Sequence, residues 1–190
     1  EDGEILVRGE NVTTGYFKDL PPLTNASGAA QLLDNDFTLS IDGGDVIMPS
    51  GGKTRLQAGS MLAKDVLAVE TMASFDLDIA SAAQPLIEYL DQPALNLIRH
   101  SGLDTTKLSG NARMKVKIAF PMIKDVPKER IEVNVDATLA DAALQDALPG
   151  VDISEGQIAM AMDKGVLTAK GPARIAGIPA EIDWQRGPAP

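Results

Sequence analysis

Residues 113–120 read Arg-Met-Lys-Val-Lys-Ile-Ala-Phe, and their alternation decides the fold class. Met114, Val116, Ile118 and Phe120 occupy every second position, with Arg113, Lys115, Lys117 and Ala119 between them. Successive side chains of a strand point to opposite faces, whereas a helix would spread these four apolar residues around its circumference. The segment is expected to be a strand with one aliphatic and one basic face. The same period recurs in Ile131, Val133, Val135, Ala137 and Leu139, set against Glu132, Asn134, Asp136 and Thr138. It returns in Phe37-Leu39-Ile41, Phe75-Leu77-Ile79, Ile158-Met160-Met162 and Ile178-Ala180-Ile182-Trp184. Strands apolar on one side only belong to antiparallel sheets that are wet on the other.

Turn signals fall between these runs. A two-residue loop at Lys164-Gly165 predicts Met162 opposite Leu167 and Met160 opposite Ala169. A loop at Asn35-Asp36 predicts Leu32 opposite Leu39 and Ala30 opposite Ile41. Ser50-Gly51-Gly52 and Ala176-Gly177 read as two more reversals. The strand pattern breaks only around residues 81–101. There Ser81 is expected to cap a helix over Ala82–Leu90, and Asp91 to cap a second one that carries Pro93 and ends before Gly102. Arg99 and His100 would complement the dipole of its last turn. A faint repeat spans this insert. Leu20-Pro21-Pro22 leads to Gly28 as Leu148-Pro149-Gly150 leads to Gly156, each 128 residues apart. The expected architecture is mainly β: one twisted antiparallel sheet of hairpins, curled toward a groove, over residues 1–190. Units 1–80 and 110–190 flank the helical insert, and chance similarity is the rival to a true duplication.

Composition narrows the function classes. A net charge of −10, from 17 Lys+Arg against 27 Asp+Glu, repels nucleic-acid phosphates and anionic bilayers. With no cysteine there are no disulfides, thiolate metal ligands or thiol nucleophiles. No apolar run approaches the ~20 residues that span a bilayer. The chain opens on Glu4-Ile5-Leu6-Val7 without an initiator Met or an apolar leader. It reads as a piece of a longer protein, with any anchor or export signal outside it.

Catalytic constellations were sought among the remaining residues. His100 is the only histidine, and no G-x-S-x-G elbow or carboxylate set spaced for a metal accompanies it. Asp76 and Asp78 read as a solvated strand face, and Asp34 and Asp36 as turn residues. Asp42-Gly43-Gly44-Asp45 lacks the further acids of a calcium loop and is expected to be a structural turn. The basic face of Arg113, Lys115 and Lys117 is expected to pair with acidic strands such as that of Glu132 and Asp136, a lipid headgroup being the second reading. The start GEILVRGENVTTGYFKD (3–19) is similar to a short stretch of adenylate-forming ligases, but no phosphate loop precedes it. The chain is expected to be no enzyme and to hold no cofactor or metal.

The apolar surface is aliphatic. Hydrophobic residues make up 44% of the chain, yet only 4% is aromatic, and there are 7 methionines. The strand of Met160 and Met162 is either ordinary core or a deformable wall for flexible acyl chains. Met114, Val116, Ile118, Phe120, Val133, Val135, Met160 and Met162 are the candidate groove-lining residues.

On layout, the chain resembles the AsmA-like superfamily of Gram-negative envelope proteins, including its TamB and YhdP branches. The segments FKDLPPLTNASGAAQLLDNDFTLSIDGG (17–44), PLIEYLDQPALNLIRHSGLDTTKLSGNARMKVKIAFPM (85–122) and ATLADAALQDALPGVDISEGQIAMAMDKGVLTAKGPARIAGIPAEIDW (137–184) carry the resemblance. It implies a periplasmic portion of an inner-membrane-anchored protein, built from β-units that form an apolar groove. The implied work is phospholipid transport toward the outer membrane and maintenance of the envelope. The partners would be phospholipid acyl chains and adjacent repeats of the same protein, with edge-strand association between copies a further possibility. A structural module packing against neighbouring repeats is the alternative.

Overall fold

The computed structural model describes residues 3–5, 21–92 and 105–187. Ten strands form one antiparallel sheet in strict chain order. They are β1 (Gly3–Ile5), β2 (Leu23–Leu33), β3 (Asp36–Ile47), β4 (Lys53–Ala63), β5 (Met72–Ala82), β6 (Leu108–Pro121), β7 (Glu132–Leu148), β8 (Val151–Asp163), β9 (Val166–Ile175) and β10 (Ile178–Arg186). Among the described residues the sheet is open, because β1 and β10 each pair with a single neighbour. Among the described residues one α-helix, α1 (Ala83–Leu90), and a 3-10 turn at Thr105–Lys107 interrupt the meander between β5 and β6. Five strands therefore precede the insert and five follow it, joined by the unbroken β5–β6 ladder from Met72↔Pro121 to Ala82↔Asn111.

Local chemistry sets the reversals. Lys164 and Gly165 both have positive φ (48° and 76°), the conformation of a two-residue hairpin turn whose twist matches its strands. Met162 then faces Leu167 and Met160 faces Ala169, as the sequence led us to expect. Ala176-Gly177 repeats this geometry, and Gly51 turns the chain between β3 and β4. The first hairpin corrects the expectation. Its corner is Asp34-Asn35 (φ 48° and 70°), so Leu32 faces Phe37 and Ala30 faces Leu39. Asp and Asn tolerate the left-handed region through local hydrogen bonds, and two consecutive ones outcompete Asn-Asp one step later. Such a two-residue slip leaves every side chain on its own face, so periodicity alone could not exclude it.

The helix also differs in detail. Ser81 remains in β5 opposite Ala112, its hydroxyl 3.1 Å from the Thr54 hydroxyl, and the N-cap is Ala82, with no side-chain cap. Sheet pairing has claimed the residue that would have capped. Pro85 is tolerated because the first-turn N–H groups have no intrahelical partner. Leu86, one turn before Leu90, turns onto the sheet and is 5% exposed. The expected second helix, with Pro93, Arg99, His100 and Gly102, lies outside the described residues. Asp42–Asp45 is not a turn but part of β3, close to the irregularities in its pairing with β2. Asp45 is held there by strand partners on both sides, Thr24 and Arg55.

Register shifts interrupt five of the pairings: β2–β3, β4–β5, β6–β7, three times β7–β8, and β8–β9. Most involve the strand halves nearer α1, where Asp141, Asp146 and Glu155 adopt positive φ. Bulges bend a strand and increase its twist, and here they gather in the strand halves on the helical side. The repeat has a structural echo at a further pair of positions. Gly43 and Gly171, again 128 residues apart, have φ of 150° and 145°, a region open in practice only to glycine.

Candidate functional site

The pairings place all eight candidate residues on one face, since residues directly opposite in antiparallel strands share a side. Ile118 stands between Phe75 and Val133. Val116 stands between Leu77 and Val135, a row that continues through Met162 to Leu167. Met114 stands between Ile79 and Ala137, and that row runs on through Met160 and Ala169 to Trp184. Phe120 stacks on Phe75, ring centroids 5.7 Å apart. The face is thus a continuous aliphatic surface crossing the sheet.

Its two ends differ. At the helical end Leu86 packs into a cluster with Leu56, Ile79, Ala112, Met114 and Val116. Met114 and Val116, 5% and 8% exposed, are therefore packed core. Ile118, Phe120, Val133, Val135, Met160 and Met162 are only half-buried, farther from the helix, which packs chiefly on β4, β5 and β6. The opposite end carries a rim of exposed apolar residues: Val66, Leu67 and Val69 in the β4–β5 loop and Met72 and Met122 beside it, which the strand pattern did not single out, together with Ile131, which was expected to open an alternating strand and lies just before β7. The run Val66-Leu67-Ala68-Val69 was the loop's only trace in the sequence. Arg130 pairs with Glu70 at this rim, which holds the Glu70 carboxyl below its ordinary value and raises the guanidinium.

The other face is polar and organised by charge. Lys115 is flanked by Asp78 and Asp136, and Lys117 by Asp76 and Asn134, with Lys117 Nζ 3.7 Å from Asp76. The basic strand was expected to pair with the strand of Glu132 and Asp136: Lys115 does lie opposite Asp136, but Glu132 faces Ala119 and the ion pair of Lys117 is with Asp76 of β5. Asp45 has the densest set of partners. Lys53 Nζ lies 2.9 Å and Arg55 3.3 Å from its carboxylate, and the Asn25 amide donates to it at 3.2 Å. Those hydrogen bonds and positive neighbours lower the Asp45 pKa against a smaller opposing effect of burial. The cluster ties three strands together, with Asn25 from β2, Asp45 from β3 and Lys53 and Arg55 from β4. A hollow of about 810 Å³ also opens on this face, around Ser40, Ser60, Asp76, Lys117, Glu132 and Asn134. A twisted sheet is saddle-shaped, so each face is concave along one diagonal, and this hollow belongs to the polar side.

Among the described residues no group of His, Asp and Glu side chains is placed to hold a metal ion, and no helix is long and apolar enough to cross a membrane. Comparison with protein-family models, with curated proteins and with solved structures finds no match for this chain.

Proposed function

We propose that this chain is a β-groove segment of an AsmA-like protein that shields phospholipid acyl chains on the aliphatic face of its sheet, in the periplasm of a Gram-negative cell. The observation that carries the reading is the half-buried apolar surface running from Leu39 and Met61 through Phe75, Ile118 and Val133 to Met162 and Leu167. At ~4.8 Å per strand, this surface from β3 to β9 gives a track of roughly 29 Å. One leaflet of hydrocarbon is about 15 Å thick, so an acyl chain needs only three or four strands. Each methylene taken from water stabilises the complex by about 0.8 kcal/mol. Such binding asks for little polar recognition, and methionine adapts to a moving hydrocarbon.

The test is mass spectrometry of lipid retained by gently purified protein, with photo-crosslinking side chains at Met160, Met162 and Val133. Adducts from these positions, but not from exposed Ala159 on the opposite face, are expected. Labelling that is equal on the two faces, or lipid-free protein, sinks the proposal. The alternative, a structural module packed against neighbouring β-units, is supported by the outer edge of β10, which has no strand partner among the described residues; it requires the apolar face to be dry and covered in the full-length protein.

A further inference from the structure

We infer that the outer edge of β10 is an assembly site for an extended strand that is basic on one face and aliphatic on the other. This conclusion is independent of what the apolar face carries. In the Ala176-Gly177 hairpin, Ile175 and Ile178 flank the turn as a directly paired couple. In a two-residue hairpin those flanking residues exchange both backbone hydrogen bonds. Bonding direction alternates from there. Ile178, Ala180, Ile182, Trp184 and Arg186 bond to β9, while Pro179, Glu181, Asp183 and Gln185 present their backbone groups outward. Pro179 fits an outward position because it has no N–H to lose. Beyond it three outward N–H groups, those of Glu181, Asp183 and Gln185, have no strand partner among the described residues.

Charge specifies the partner. On the polar face β5 is acidic (Asp76, Asp78), β6 basic (Arg113, Lys115, Lys117) and β7 acidic (Glu132, Asp136). Farther along, Lys170 of β9 is 3.0 Å from Asp183 of β10. The sheet therefore sets basic strands beside acidic ones, and Glu181 and Asp183 lie on a strand that has no further neighbour among the described residues. Glu181 faces Pro172 and has no cation directly across from it. On the opposite face Ala180, Ile182 and Trp184 would meet aliphatic residues. A second copy of β10 fits poorly, because antiparallel self-pairing brings Glu181 and Asp183 near their own counterparts. The net charge of −10 likewise favours a basic partner.

The chain's own β6 has the required pattern, so the probe is a synthetic Ala112–Phe120 peptide, compared with one carrying Glu at its three basic positions. Trp184 is the only tryptophan and lies on the edge strand, so its fluorescence reports directly. The basic peptide is expected to bind, to shift Trp184 emission and to protect the Glu181, Asp183 and Gln185 amides from hydrogen exchange. The E181K/D183K variant should bind it about tenfold more weakly, as two cross-strand attractions become repulsions. Gln185→Pro, which removes an outward N–H without breaking the ladder to β9, should also weaken binding at unchanged melting temperature. Equal binding of both peptides, absence of binding, or protection elsewhere in the sheet overturns the inference. So does protection of the same amides in a peptide-free dimer, which would assign the edge to a second copy.

Discussion

Replacing Leu86 by alanine tests whether α1 is part of the folded core or merely rests on it. Leu86 is 5% exposed and touches a cluster built from β4, β5 and β6. Truncating a buried leucine costs ~2–5 kcal/mol, more where the cavity cannot collapse. Here the helix packs on a single layer and has room to settle, so the lower half of that range applies, about 2–3 kcal/mol. For a domain of this size each kcal/mol moves the melting temperature by ~2–4 °C, giving a fall of roughly 4–12 °C. Thermal unfolding followed by circular dichroism, with Trp184 fluorescence as a second probe on a strand remote from the helix, measures it. Leu67→Ala, at a residue 77% exposed, is the control and should hardly change the transition. If Leu86→Ala also melts within about 1 °C of the parent, the helix is not integral to the core, and the packed end of the apolar face is wrongly assigned.

Asp45→Asn is expected to destabilise the protein at neutral pH. Because the folded pKa of Asp45 is lowered, its contribution is present above the ordinary carboxylate range and is lost as pH falls through the folded value. The difference between parent and variant in urea unfolding should therefore shrink on acidification below about pH 4; a gap that is constant with pH refutes the assignment. Gly171→Ala should cost at least about 3 kcal/mol, since the glycine-only conformation is compounded by a Cβ driven into the Gln157 carbonyl. Gly150→Ala, with φ of 73° and open space around it, should cost only ~1 kcal/mol by the same assay. Ala176→Asn should stabilise by ~0.5–1 kcal/mol, because asparagine suits the left-handed corner (φ 49°) better than alanine; an unchanged or lower melting temperature counts against the turn geometry.

Alternation made the strands legible because each has one dry and one wet face. Arg113–Phe120 is the clearest case, and Val133 and Val135 were expected to share its apolar face; that Phe75-Leu77-Ile79 lies beside it came only from the strand pairing. Register was legible only where a turn had one strong solution, as at Lys164-Gly165. At Asp34-Asn35-Asp36 three residues compete for two corner positions, and the pattern is blind to a slip of two. Residues 140–148 lie in β7 although their alternation fails, because bulges at Asp141 and Asp146 reset the phase. Asp45 was read as a turn because Gly43-Gly44 resembles one. Its real setting depends on Asn25, Lys53 and Arg55, which only the folded sheet brings together. The separation of Met114 and Val116 from the other six groove candidates likewise depends on where α1 lands, which strand periodicity does not encode.

The two faces of this sheet do different physical work. Contacts on the apolar face are non-directional and sum with area, so that face tolerates exchange among Met, Val, Ile and Leu and discriminates poorly between hydrocarbon partners. The polar face pairs charges strand by strand, and like charges set opposite each other are penalised; that face fixes which strand lies beside which. A change such as Met162→Leu should then leave both the apolar surface and its strand neighbours in place, whereas Met162→Glu should interrupt that surface without changing which strand lies beside which. A charge reversal on β10 should alter its neighbours while leaving the groove intact. If the sheet is extended by a further strand at β10, as inferred above, this division would let a broad, unspecific surface continue across an interface that is itself specific. The acidic last strand beside basic Lys170 is where that rule would operate next.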